Sequence, residues 1–336
     1  MDVGLLMLAT PGRAREIARR AEAAGFSHLA FGDTQNIGPE VWGQLMLAAA
    51  ASTSLRLGTG VTNATSRDIA VTASAALALQ EESGGRAFCG IGRGDSALAK
   101  IGRRPIRVEE FEQALANLRN YLAGENVVRG GAKSRIEWAT ELHLPTVPVE
   151  VAAAGPRVIE AAARHADSIA FCLGADPDTL APALERARQA ARAAGRGASA
   201  LRYGAFVNCV VDDNLAQARA LARGGVSVFA RFAGWSQGAS ALVGEVAASD
   251  ARALAGRYEM DRHAQASGAG ARALDDALLD RFAILGPAGR VIERLSALAE
   301  LGLDFVTIAP GSSDMGWEEG WRSIEAIGSE VIPGLR

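Results

Sequence analysis

Lysine is nearly missing from this chain of 336 residues: Lys100 and Lys133 are its only lysines, and arginine carries almost all the positive charge. The formal net charge is -3, so no basic surplus exists to hold nucleic acid or an anionic membrane surface. Cysteine is scarce as well. Cys89, Cys172 and Cys209 stand far apart, each inside an apolar run, with no CxxC pair. That odd, unpaired count argues against a disulfide framework and fits buried, reduced thiols in a cytoplasmic protein. No apolar run is long enough to span a bilayer. The start, Met1 to Met7, lacks the basic flank of a signal peptide. The four histidines, His28, His143, His165 and His263, show no metal-ligand spacing, so no metal site is expected. There is no Gly-x-Ser-x-Gly elbow to suggest a serine hydrolase.

What the chain has is apolar residues, 49% of the total, arranged in short runs that alternate with helical patterns. Strands are expected at residues 3–8, 26–31, 55–61, 86–91, 147–153, 168–173, 202–211 and 305–309. Between them, helical spacing runs over 14–24, 42–52, 68–83, 108–122, 158–165, 180–194, 213–223 and 288–301. Gly25 and Gly195 stand where helix C-terminal glycines belong. Residues 125–146 read as a loop or hairpin. Eight strand–helix units in one chain of this length predict a single (β/α)8 barrel over 1–336. Residues 224–286 exceed one connection. They read as an insertion or lid, with Trp235, Tyr258, Met260 and His263 scattered through it.

In such a barrel the site lies at the C-terminal ends of the strands. That selects Asp33-Thr34, Gly60-Val61-Thr62-Asn63, Arg93-Gly94-Asp95 and Ala154-Gly155-Pro156-Arg157. Glycines there let a flat ligand approach the backbone closely. Each has a plainer reading: Asp33 as a turn aspartate, Asp95 as the cap of a short helix from Ser96. Gly90-Ile-Gly-Arg-Gly94 is not the spacing of a dinucleotide fingerprint.

The set Leu57-Gly-Thr-Gly-Val-Thr-Asn63, Ser83-Gly-Gly-Arg-Ala87, Gly90-Ile-Gly-Arg-Gly-Asp-Ser-Ala97 and Val151-Ala-Ala-Ala-Gly-Pro-Arg157 resembles the luciferase-like monooxygenase superfamily. The branch it is most similar to holds methylenetetrahydromethanopterin reductase and other coenzyme F420-dependent oxidoreductases. The resemblance implies a homodimer and a barrel with a deazaflavin, or alternatively FMN, at its mouth. It implies a non-prolyl cis peptide at Gly60–Val61 beside the cofactor ring. Asp33 and Thr34 would lie near the ring with Gly60, Val61, Thr62 and Asn63. Arg93 and Gly94 would line the same pocket. Ala153, Ala154, Gly155, Pro156 and Arg157 would hold the cofactor phosphate at a helix start. Asp33 and Asp95 are the candidate catalytic carboxylates. The chain departs from its relatives at Thr34, where many carry His, and at Arg67-Asp68-Ile69, where many read Arg-His-Pro. Losing that histidine removes the obvious acid–base group. Three functions follow: F420-dependent hydride transfer with a small organic substrate, FMN-dependent oxygen activation, or a barrel that has lost its cofactor.

Overall fold

The computed structural model describes residues 1–141, 143–234 and 245–335. Its strands, in chain order, are β1 (Asp2–Met7), β2 (His28–Phe31), β3 (Arg56–Thr59), β4 (Thr62–Asn63), β5 (Ala87–Gly92) and β6 (Val127–Arg129). They continue with β7 (Ala132–Ser134), β8 (Val149–Ala153), β9 (Ser168–Phe171), β10 (Arg202–Val211), β11 (Ala283–Gly286) and β12 (Phe305–Ala309). The parallel ladder runs β1-β2-β3-β5-β8-β9-β10-β12, and β12 pairs back onto β1 from Asp2–Phe305 to Leu5–Ile308. That closes an eight-stranded barrel, and helices follow the strands as the apolar periodicity predicts. β6 and β7 form the antiparallel hairpin allowed for residues 125–146.

Several boundaries shift for physical reasons. The third strand is not continuous over 55–61. It stops at Thr59 and resumes at Thr62, and the Gly60–Val61 peptide between them is cis. Two helices begin earlier than the apolar pattern suggests, at Pro156 and Pro177. A proline at the first turn costs no intrahelical bond, and the Asp176 side chain accepts from the Asp178 amide. The helix expected to end at Arg223 runs on as Leu215–Gly234, so position 224 falls inside it. Strand β11, missed in the reading of 224–286, pairs with the far end of β10, Asn208–Val211. Of the residues singled out in that region, Trp235 lies outside the described residues.

The lower barrel interior is filled by alternating large and absent side chains. His28 of β2, Phe88 of β5 and Phe305 of β12 project inward. Gly4, Gly58 and Gly204 on the strands between them leave the room. A Cβ on Gly4 would lie 1.9 Å from the His28 ring, and one on Gly204 would lie 2.5 Å from the Phe305 ring. The imidazole meets both phenyl rings edge-on, with centroids 5.9 and 6.0 Å away. Its Nε2 pairs with Thr307 Oγ1 at 2.8 Å and its Nδ1 with Ser27 Oγ at 2.9 Å. This plug leaves the upper interior to smaller residues and so decides which end of the barrel is hollow.

Burial, then the nearby Arg56, lowers the His28 pKa to about 3. Burial raises the carboxyl of Glu150, on β8, to about 7. Between about pH 6.5 and 3 the unfolded chain protonates His28 while the folded protein does not, so this residue subtracts stability as the pH falls. Glu150 works the other way between about 4.5 and 7, where the folded state keeps a proton that the unfolded state loses. Below pH 4.5, therefore, the His28 effect is unopposed by Glu150. A His28→Gln variant, compared with the parent by urea unfolding from pH 7 to 3.5, should close its stability deficit by up to ~1.4 kcal/mol per pH unit on the acid side. A deficit that stays constant with pH would show that His28 is not held neutral.

Candidate active site

The strand ends carry a cavity of about 950 Å³. It is lined by the ends of β1, β2, β5, β8, β9 and β12, by Phe206 of β10, by the break between β3 and β4, and by helix Leu215–Gly234. Leu6, Val61, Ala152, Cys172, Phe206 and Phe229 make an apolar floor and wall. Burial pushes the Cys172 thiol up to about 12, so it acts as an apolar filler and not as a nucleophile.

Most of the residues selected from the sequence meet here. Asp33, Thr34, Gly60, Val61, Thr62, Asn63, Arg93, Gly94, Asp95, Ala154 and Gly155 all line the cavity. Ala153 is buried within β8, and Pro156 and Arg157 open the next helix without lining the cavity. The guanidinium of Arg157 is exposed and pairs with Glu109. The Arg93 Nε donates to the Ile106 carbonyl at 2.7 Å, and burial lowers the Arg93 pKa. Asn63 folds its own loop: its Oδ1 accepts from the amides of Thr65 and Ser66 at 2.9 and 2.8 Å.

The two aspartates differ in environment. Asp33 is buried, and its Oδ2 accepts from Thr62 Oγ1 at 2.6 Å and from Arg67. Arg67 also reaches Glu40 at 2.8 Å, so one guanidinium ties two carboxylates together. Its role could be read only from its place after the β3–β4 break. Thr34 Oγ1 is 2.8 Å from Ser96 Oγ, which links the β2 and β5 loops. Asp95 makes no side-chain capping bond to helix Ser96–Ala99, so the capping reading is set aside. Its carboxylate pairs with Arg231 instead. Burial raises the Asp95 pKa against the pull of Arg231. The Arg231 guanidinium lies 4.1 Å from the Tyr258 ring centroid, and Tyr258 Oη sits 2.7 Å from His263 Nδ1. Arg231 and His263 thus give the cavity a polar wall, with Tyr258 behind them. Arg231 had no signal in the sequence, since it stands in a helical pattern without a motif.

Removing Arg231 would strand a carboxylate that burial already disfavours. Arg231→Met should destabilise the fold by about 3 kcal/mol in urea unfolding, and adding Asp95→Asn should recover most of it. Additive losses in the double variant would show that the two groups do not act as a pair.

The chain is 27% identical over 331 residues to a 5,10-methylenetetrahydromethanopterin reductase of Methanolobus tindarius, covering 94% of each. It is 38% identical over 171 residues to a phthiodiolone/phenolphthiodiolone dimycocerosates ketoreductase of Mycobacterium kansasii, which covers 47% of this chain and 45% of that one. Its fold superposes with a TM-score of 0.80 on a coenzyme F420-dependent tetrahydromethanopterin reductase of Methanopyrus kandleri, at 22% identity and covering 100% and 99% of the two chains. The family model for luciferase-like monooxygenases matches residues 3–304. The chain belongs to the luciferase-like monooxygenase family.

Proposed function

We propose that this protein is an oxidoreductase that uses coenzyme F420 to move a hydride to or from a small organic substrate. The observation that carries the reading is the match to a methylenetetrahydromethanopterin reductase along 94% of both chains. The cavity supports it. Val61 and Leu6 offer a flat apolar surface, and Gly60, Gly92 and Gly94 put no side chain in the way of a ring. Gly155 faces open space: a Cβ built there meets nothing within 4 Å. It caps the ten-residue helix Pro156–His165, whose first amides suit a phosphate. Arg157, exposed beside it, can exchange Glu109 for such an anion. Asp33, fixed by Thr62 and Arg67, would meet the polar edge of the ring. Bound in reduced form, the deazaflavin supplies the hydride. The chain's part is to orient the two reactants and exclude water.

The same reading makes residues 245–282, between helix Leu215–Gly234 and β11, a cover over the substrate side. It also makes the protein a cytoplasmic homodimer that takes a small-molecule substrate. FMN-dependent oxygen activation is the alternative, favoured by the family's own description as monooxygenases.

Titration of the purified protein with coenzyme F420 and with FMN, followed by fluorescence, separates the two. Under this proposal F420 binds, and Arg157→Ala weakens it about tenfold, the worth of one charge-assisted hydrogen bond. Binding of FMN alone would transfer the reading to oxygen chemistry. Binding of neither would leave the barrel without a redox role.

A further inference from the structure

The chain has Thr34 where many relatives carry a histidine, yet the cavity contains one from elsewhere. His263 lines it from the connection that follows helix Glu245–Arg257. Its setting fixes which nitrogen holds the proton. Tyr258 Oη accepts from the Ala264 amide at 3.2 Å and lies 2.7 Å from His263 Nδ1. A phenol is the stronger donor and an imidazole nitrogen the stronger acceptor of the two, and Ser227 Oγ gives its own proton to the Gly224 carbonyl, so we assign the phenolic proton to Nδ1. Nδ1 is therefore the acceptor, and in the neutral ring the proton sits on Nε2. Among the described residues Nε2 has no hydrogen-bond partner, and it belongs to the ring that borders the cavity.

The backbone around this ring is held from several sides. Ala264 is the one non-glycine among the described residues with positive φ, at 59°. Such a conformation costs about 1 kcal/mol and persists only where surroundings enforce it. The enforcement is visible. Ser313 donates from its amide to the Ala264 carbonyl at 2.8 Å and from its hydroxyl to the His263 carbonyl at 3.1 Å. Asp314 accepts from the Ala266 amide at 2.8 Å. Gly224 lets helix Leu215–Gly234 lie against this turn: a Cβ there would come within 2.2 Å of the Ala264 carbonyl oxygen. Burial and the neighbouring Arg231 and Lys100 lower the His263 pKa to about 4, which keeps the ring neutral at working pH.

We propose that His263 is the hydrogen-bond donor to the substrate's oxygen and that the substrate is a carbonyl compound with an apolar body. The inference rests on the hydride-transfer reading above. Phe206, Phe229 and Phe232 would take the apolar body, and Nε2–H would hold the carbonyl oxygen. In the reaction a hydride, a proton with two electrons, passes from the reduced deazaflavin to the carbonyl carbon. The deazaflavin is oxidised and the carbonyl reduced. The C=O π pair moves onto oxygen, where Nε2–H stabilises the charge. Water at the cavity mouth, beside exposed Arg103 and Arg104, then supplies the proton that completes the alcohol. A neutral imidazole can fill this role because its one N–H donates to the developing oxyanion without placing a further positive charge beside Arg231. Tyr258 is a positioning residue. It acts through the ring by fixing the tautomer.

The test has two independent arms. In the first, the cofactor-free protein is labelled with ¹⁵N-histidine, and His263 is assigned by loss of its signals in His263→Phe. The expected spectrum at pH 7 shows a neutral ring with its proton on Nε2, turning to a tautomer mixture in Tyr258→Phe. A proton on Nδ1, or a charged ring, overturns the inference. In the second arm, F420 binding and turnover of acetone, cyclohexanone and acetophenone are measured with reduced F420. His263→Phe should retain F420 affinity within about twofold. It should lower kcat about 100-fold with a small change in KM, as expected for a donor that acts mainly in the transition state. His263→Gln should recover part of the loss, because its amide also donates. Undiminished kcat in His263→Phe, or no ketone turnover by the parent protein that binds F420, overturns the inference. Failure of the parent to bind F420 overturns the cofactor reading instead, and the tautomer arm still decides the role of His263.

Discussion

Strand β1 pairs with β12 from Asp2 on Phe305 to Leu5 on Ile308, and this ladder joins the two ends of the sheet. Without it a parallel sheet would have two unpaired edges and no enclosed interior. With it, strands that already run parallel form a ring, so all the C-terminal ends gather on one face. Asp33, Gly60, Arg93, Asp95 and Gly155 come from four separate connections. Closure alone brings them to one cavity.

The interior then divides by side-chain size. At the base, His28, Phe88 and Phe305 fill the space left by Gly4, Gly58 and Gly204. Toward the other end most inward residues are small, Val61, Ala152, Cys172 and Ala309 beside Leu6 and Phe206, and the packed core gives way to a hollow. The polar groups of that hollow are held in separate sets. Asp33 is fixed by Thr62 and Arg67. Asp95, Arg231, Tyr258 and His263 form a second set, which adjoins the first through the Thr34–Ser96 hydroxyl pair. A ring system and a small substrate can therefore meet different chemistry within one space.

The barrel was legible in the sequence because buried parallel strands write continuous apolar runs and the helices between them write a 3.6-residue period. The strand-end residues were legible because glycine and aspartate follow those runs directly, as at Gly60, Gly94 and Asp95. Helix starts were misjudged at Pro156 and Pro177, where capping chemistry outweighs apolar periodicity. The second polar set was not legible. Arg231 meets Asp95 across 136 residues of chain, a pairing that no local pattern encodes. The partner of Arg157 was not legible either: its exposed guanidinium pairs with Glu109, 48 residues away. Tyr258 and His263 stand in the sequence only as scattered members of the insertion; what distinguishes them is the amide of Ala264, whose unusual φ only a structure reveals.

The central claim is that one cavity holds the deazaflavin ring and a carbonyl substrate on opposite sides, between Val61 and His263. A crystal structure of the protein with coenzyme F420 and a ketone-mimicking amide tests it most directly. The account predicts the ring against Val61 and Leu6, its phosphate at the start of helix Pro156–His165, and the amide oxygen within hydrogen-bond distance of His263 Nε2. A ring bound away from the β3–β4 break, or an amide oxygen that turns from His263, would contradict it.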